Sequence, residues 1–229
     1  MTELQENTAP TPDRSLPSPQ DRFGERFRTN VSAEGVQARV MEAETQSLAQ
    51  TFAELAASGA APRAAAVILG ARRRYISGEG KSGTYAALLG ADLSATLSNV
   101  FVVDGRALNP LAVLSDVRSS DVLIVFSLRR YRSETVRFGE AFKAAGGQLV
   151  VVTDADDAPL APRADVRIHV NTGSASYADS PTAVAAVCQL LGTLTAASAK
   201  GARRRLAVRD ELAATLDLYH HEPEKEPEA

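Results

Sequence analysis

The sequence predicts an α/β fold: a five-stranded parallel sheet of order 2-1-3-4-5, flanked by helices and preceded by an extra N-terminal helix. Three observations predict it. Strand and helix patterns alternate across residues 63–200. Two strands, DVLIVFS at 121–127 and QLVVVTD at 148–154, are apolar on both faces. Such strands belong to a parallel sheet covered on both sides. Loops rich in hydroxyl groups follow the first and third strands, and an order that makes those strands neighbours brings both loops to one crevice at the switch point.

The elements follow in order. Residues 1–30 hold Pro10, Pro12, Pro17 and Pro19 and read as a disordered or loosely docked arm. A single domain then spans 31–220. Ser32 caps a first helix at 33–57, whose Met41, Thr45, Leu48, Phe52 and Leu55 form one seam. That seam packs either on its own domain or on a second copy. A strand at 72–77 runs into a glycine-rich turn and a helix at 84–97. A short strand follows at 100–104, and Asn109-Pro110 has the cap-then-proline form of a helix start. After the strand at 121–127 comes a helix at 134–145, ended by Gly146-Gly147. Strands at 148–154 and 165–170 complete the sheet, and helices at 182–199 and 206–219 close the domain. The last residues, 221–229, form an acidic tail.

Composition narrows the function. The 229 residues carry 25 basic and 28 acidic side chains, a formal charge of −3, so no global charge favours nucleic acid. Direct DNA binding is not expected; the arginines at 72–74 and 203–205 read as a solvated strand lead-in and a helix face. The single cysteine, Cys188, sits in an apolar helix as a packing residue; it excludes an intrachain disulfide and a multi-cysteine metal site. No apolar run reaches the ~18 residues of a membrane span, and no signal peptide is visible. Tryptophan is absent, which removes a tryptophan-stacked carbohydrate site. A cytoplasmic location is expected.

Two loops could carry chemistry. In the first, Ser77-Gly78-Glu79-Gly80-Lys81-Ser82-Gly83, glycines permit close backbone approach and the next helix offers its positive end, a setting for phosphate. A P-loop needs a glycine where Tyr75 stands. The spacing Gly78, Gly80, Gly83, with Asp104 further on, also fits a dinucleotide fingerprint, and that reading stays open as an alternative. In the second loop, residues 127–135, Ser133 could cap the next helix and Thr135 could meet anion oxygens, with Arg129, Arg130 and Arg132 beside them.

With those residues the chain resembles the sugar isomerase (SIS) domain family over roughly 63–200. SGEGKSG at 77–83 is similar to the family's G-x-G-x-S-G phosphosugar loop. FSLRRYRSET stands where the family has S-x-S-G-x-T, with Ser127, Glu134 and Thr135 matching its ends and extra arginine-rich residues between. That form, with SASYADSPTAVAAV at 174–187, resembles the sugar-binding domain of RpiR-type transcriptional regulators. The Pro-rich stretch before the first helix leaves no room for their helix-turn-helix domain. The resemblance implies a phosphosugar site of Gly80, Lys81, Ser82, Gly83, Ser127, Arg130, Ser133, Glu134 and Thr135. It implies no cofactor and no metal.

The expected function is therefore non-catalytic, regulatory phosphosugar binding by a homodimer or higher homo-oligomer, away from membranes. An aldose–ketose phosphosugar isomerase is the alternative. Such an enzyme needs a base; Glu79 is the best candidate, because 105–119 holds no Glu or His. His169 reads as a strand residue, and His220 and His221 as tail residues unless a neighbouring subunit receives them.

Overall fold

The alternation of apolar runs and helical repeats resolves into one parallel sheet of order β2-β1-β3-β4-β5. The computed structural model describes residues 18–27 and 32–220. The strands are β1 (Arg73–Ser77), β2 (Val100–Val103), β3 (Asp121–Phe126), β4 (Gln148–Thr153) and β5 (Val166–His169). All four neighbouring pairs run parallel. β1 pairs with β3 from Arg73 opposite Asp121 to Ser77 opposite Val125, so both strands end at the same level.

β3 is buried along its whole length, and its side chains divide between two cores. Val122, Ile124 and Phe126 enter one core with Ile76, Val150, Val152 and Ile168. That core is covered by α2 (Ala33–Ser58), α3 (Ala60–Gly70), α4 (Lys81–Thr96) and α7 (Thr182–Ser198). Leu123 and Val125 enter the other with Tyr75, Leu149 and Val151. α6 (Ser133–Ala144) covers it through Phe138 and Phe142, and the short α5 (Pro110–Leu114) through Val113. This division is the period-2 side-chain alternation of a strand apolar on both faces.

Local signals set the helix ends. Ser32 accepts the Gly35 amide at 3.2 Å and Asn109 accepts the Ala112 amide at 2.9 Å, the two caps that the sequence predicts. The sequence pattern does not predict α3. It is rich in alanine, and Ala60, Ala61, Ala64, Ala65 and Ile68 are buried. The left-handed Gly59, at φ 61°, separates it from α2. Without that turn, 33–70 has no clear break in its helical pattern.

Three further expectations need correction. The arm at 1–30 contains a helix, α1 (Pro19–Arg26), started by a Ser18–Asp21 capping box with Pro19 in the first turn. α1 is docked rather than loose: Arg22 is 3% exposed and pairs with Asp179. Residues 1–17 of that arm and the tail at 221–229, with His221, lie outside the described residues. The arginines at 72–74 are not a solvated lead-in. Arg72 grips Asp121 through Nε and Nη2 at 3.1 and 2.9 Å, and Arg73 reaches Asp116 at 2.6 Å. Arg74 donates to the carbonyls of Ile68 (2.7 Å), Leu69 (3.0 Å) and Ser98 (3.1 Å), closing the end of α3. Ser133 is not a cap. α6 starts there, with Arg132 before it and no capping side chain.

The chain ends its described part in α8 (Ala202–Thr215), which starts earlier than expected. The seam on α2 splits: Leu55 joins the core, while Met41 and Phe52 stay exposed and Ser47 and Thr51 face inward instead. Among the described residues, no single helix is long and apolar enough to cross a membrane.

Candidate phosphate-binding cavity

Because β1 and β3 are neighbours, the loops that follow them meet. Together they wall a cavity of about 360 Å³. From the first loop and α4 come Glu79, Gly80, Lys81, Ser82 and Tyr85. From the second come Ser127, Arg129, Arg130, Arg132 and Thr135, and the loop after β5 adds Thr172, Asp179 and Ser180. Gly83, Ser133 and Glu134 do not line it.

The glycines of the first loop are dictated by geometry. A Cβ on Gly78 would lie 2.6 Å from the Ser82 carbonyl oxygen, because the loop folds tightly against the first turn of α4. Gly80 takes φ 62°, ψ −128°, a conformation for glycine. The Ser82 and Gly83 amides return to the carbonyls of Glu79 (3.3 Å) and Gly80 (3.0 Å). α4 therefore begins at Lys81, earlier than expected, and Lys81 and Ser82 stand on its first turn. Lys81 Nζ donates to the Asp179 carbonyl at 2.5 Å across the cavity.

The second loop is held from below by Asp154, at the end of β4. Its carboxylate accepts the Arg129 amide at 3.1 Å and the Tyr131 hydroxyl at 3.2 Å. Burial pushes the Asp154 carboxyl up from its ordinary range, opposed by the Arg129 amide. Between the two anchored residues Arg130 takes φ 62°, which is unusual for a residue with a side chain. This turn moves the start of α6 ahead of the place predicted for it.

Ser127 and Thr135 sit deepest, at 2% and 3% exposure. Neither hydroxyl has a hydrogen-bond partner among the described residues. Buried hydroxyls without partners are uncommon and costly. Two such groups in one cavity wall, beside the positive ends of α4 and α6, point to an anion that supplies the missing acceptors. Tyr85 completes the wall; burial, then the charge of Asp179, pushes its hydroxyl up to about 12, so it stays a donor.

The sequence reading does not single out Tyr85, Asp154, Thr172, Asp179 or Ser180. Asp154 had a signal, since a carboxylate at the end of a parallel strand stands at the ligand side of the sheet. No histidine among the described residues lines this cavity. His169 bonds Glu54 of α2 and lines a separate hollow. His220 is exposed at the end of the described chain. Burial pushes the Cys188 thiol up to about 12 in the core, in keeping with packing. The fingerprint acid of the dinucleotide reading is otherwise occupied: Asp104 accepts the Arg106 and Ala107 amides, both at 2.9 Å. The observed strand order is also not the dinucleotide-binding one. Among the described residues no cluster of His, Cys, Asp and Glu could hold a metal.

Comparison with known proteins places this geometry. A search of curated proteins finds no match. Among solved structures, the chain is similar to the sugar isomerase domain of an RpiR transcription factor from Sphaerobacter thermophilus. That match has a TM-score of 0.69 and 25% identity, covering 78% of this chain and 98% of that one. The Vibrio vulnificus NanR protein, solved with ManNAc-6P, shares the fold at TM-score 0.68 and 14% identity, over 84% of this chain and 72% of that one. The c3406 protein of Escherichia coli CFT073, solved with arabinose 5-phosphate, shares it at TM-score 0.54 and 19% identity, over 84% of this chain and all of that one. The SIS domain profile matches residues 67–197, more than half the chain, and the protein belongs to the SIS domain family.

Proposed function

We propose that the cavity binds a sugar phosphate and that the protein is a regulatory binder without turnover. The observation that carries this reading is the pair of unpartnered buried hydroxyls, Ser127 and Thr135, facing the first turn of α4. A phosphate there accepts from both, with Ser82 and Lys81 alongside. The sugar then occupies the space toward Tyr85, Thr172 and Ser180. The sugar phosphates named in the NanR and c3406 structures support this ligand class.

Absence of turnover follows from the acid–base inventory of the cavity wall. Moving a proton between two sugar carbons needs a base within reach of both. Among the described residues of the wall, Glu79 is the one exposed carboxylate, Asp179 is paired with Arg22, and no histidine is present. The test is calorimetry with aldose and ketose phosphates, together with NMR of the same mixtures. Saturable binding of a sugar phosphate with no interconversion is expected. Interconversion abolished in Glu79→Gln would establish the isomerase instead, and binding only of NAD(P) would end the reading.

The assembly in this reading is a homodimer through the open side of α2, where Met41 and Phe52 are exposed on one seam. Light scattering is expected to give twice the chain mass, reduced toward the monomer in Met41→Glu/Phe52→Glu. A monomeric wild type would refute it.

A further inference from the structure

The cavity holds more positive charge than one phosphate uses. Its deep end is neutral and hydroxyl-rich, at Ser127 and Thr135. Its rim carries Arg130 and Arg132, both exposed. Neither guanidinium has an acidic partner among the described residues, whereas Arg72, Arg73, Arg163 and Arg167 all have one. The chain as a whole is acidic at −3, so two unpaired arginines on one rim are a local concentration of charge.

The backbone is arranged to put them there. Asp154 pins the residues on either side of Arg130, and Arg130 bears the left-handed φ of 62° that results. A non-glycine residue held in that region costs stability and persists where the surroundings enforce it. Arg132 crosses to the first loop, its Nη2 3.5 Å and Nε 3.8 Å from where a Cβ on Gly80 would lie. Glycine at 80 thus leaves room for the guanidinium at the mouth. These arginines also occupy the stretch where FSLRRYRSET departs from the S-x-S-G-x-T pattern.

We infer that the ligand carries a second anionic group at the end remote from its phosphate, a carboxylate or a second phosphate, read by Arg130 and Arg132. This rests on the phosphosugar reading above and narrows its ligand class to phosphorylated sugar acids or sugar bisphosphates. With the phosphate on the deep hydroxyls, the far end of the ligand reaches the rim. A planar guanidinium pairs well with either anion. Glu79 is also on the rim, suited to a sugar hydroxyl rather than the anion.

The test uses matched pairs on the full chain by calorimetry: glucose 6-phosphate against 6-phosphogluconate, and fructose 6-phosphate against fructose 1,6-bisphosphate. The doubly anionic member of at least one pair is expected to bind about tenfold tighter, an effect sized for arginines near solvent. The favoured pair identifies the second anion as carboxylate or phosphate. Arg132→Gln and Arg130→Gly are expected to collapse that ratio. Arg130→Gly also relieves the left-handed strain, so its melting temperature is expected to hold or rise, which separates lost recognition from lost folding. Equal affinity within both pairs, while phosphosugars still bind, overturns the second anion alone. Failure of every phosphorylated sugar to bind overturns the phosphosugar reading with it.

Discussion

Thr135→Val is expected to weaken sugar-phosphate binding ten- to a hundredfold while leaving the free protein as stable as before or more so. The two effects have one cause. In the free protein the Thr135 hydroxyl is 3% exposed and unpartnered, so it carries a desolvation cost with nothing to offset it. Replacing it by a methyl group of the same shape removes that cost, about 1–3 kcal/mol at most. In the complex the same hydroxyl donates to a charged phosphate oxygen. Hydrogen bonds to charged groups contribute about 1.5–3 kcal/mol, which is the stated loss in affinity. Calorimetry and thermal melting of one variant measure both. Unchanged affinity for every sugar phosphate that the wild type binds would place the phosphate elsewhere.

Asp121→Ala is expected to show the reverse pattern: a loss of about 2–3 kcal/mol in stability with ligand affinity intact. Asp121 is fully buried at the start of β3, at the opposite end of that strand from Ser127. Its carboxylate holds Arg72 through two bonds and accepts the Arg118 amide at 3.0 Å. The change strips three donors of their acceptor. Arg72 is about one-third exposed and regains water, which keeps the cost at the low end for a broken buried pair. For a chain of this size the melting temperature is expected to fall by about 5–10 °C. A shift below about 1 °C would show that water replaces the carboxylate at little cost.

The sheet was legible because its signals are local and redundant. A run such as DVLIVFS can be apolar on both faces only if both faces are covered, and the Gly and Asn-Pro signals locate the turns between strands. The convergence of the Ser82 and Thr135 loops followed from strand order. What stayed hidden depends on contacts distant in sequence. α3 has alanine where an amphipathic pattern would show leucine, since its small residues let it lie close on β5 and α7. Asp154 reads as a strand-end acid until its two partners in the 129–131 loop are seen. Arg22 reads as one more charge in a Pro-rich arm until Asp179 is found 157 residues away. Ser133 lost its expected capping role because the bend at Arg130 sets the helix start, and no propensity encodes that bend.

One residue joins the N-terminal helix to the cavity. The carboxylate of Asp179 faces Arg22 of α1, while its carbonyl receives Lys81 of the first loop. Arg26 of the same helix also donates to the Ser176 carbonyl. A ligand that draws Lys81 onto its phosphate changes the seat of α1, and by thermodynamic reciprocity a force on α1 changes the ligand's hold by the same free energy. Occupancy at the sheet's edge is thereby transmitted to the front of the chain, through a lever two side chains long.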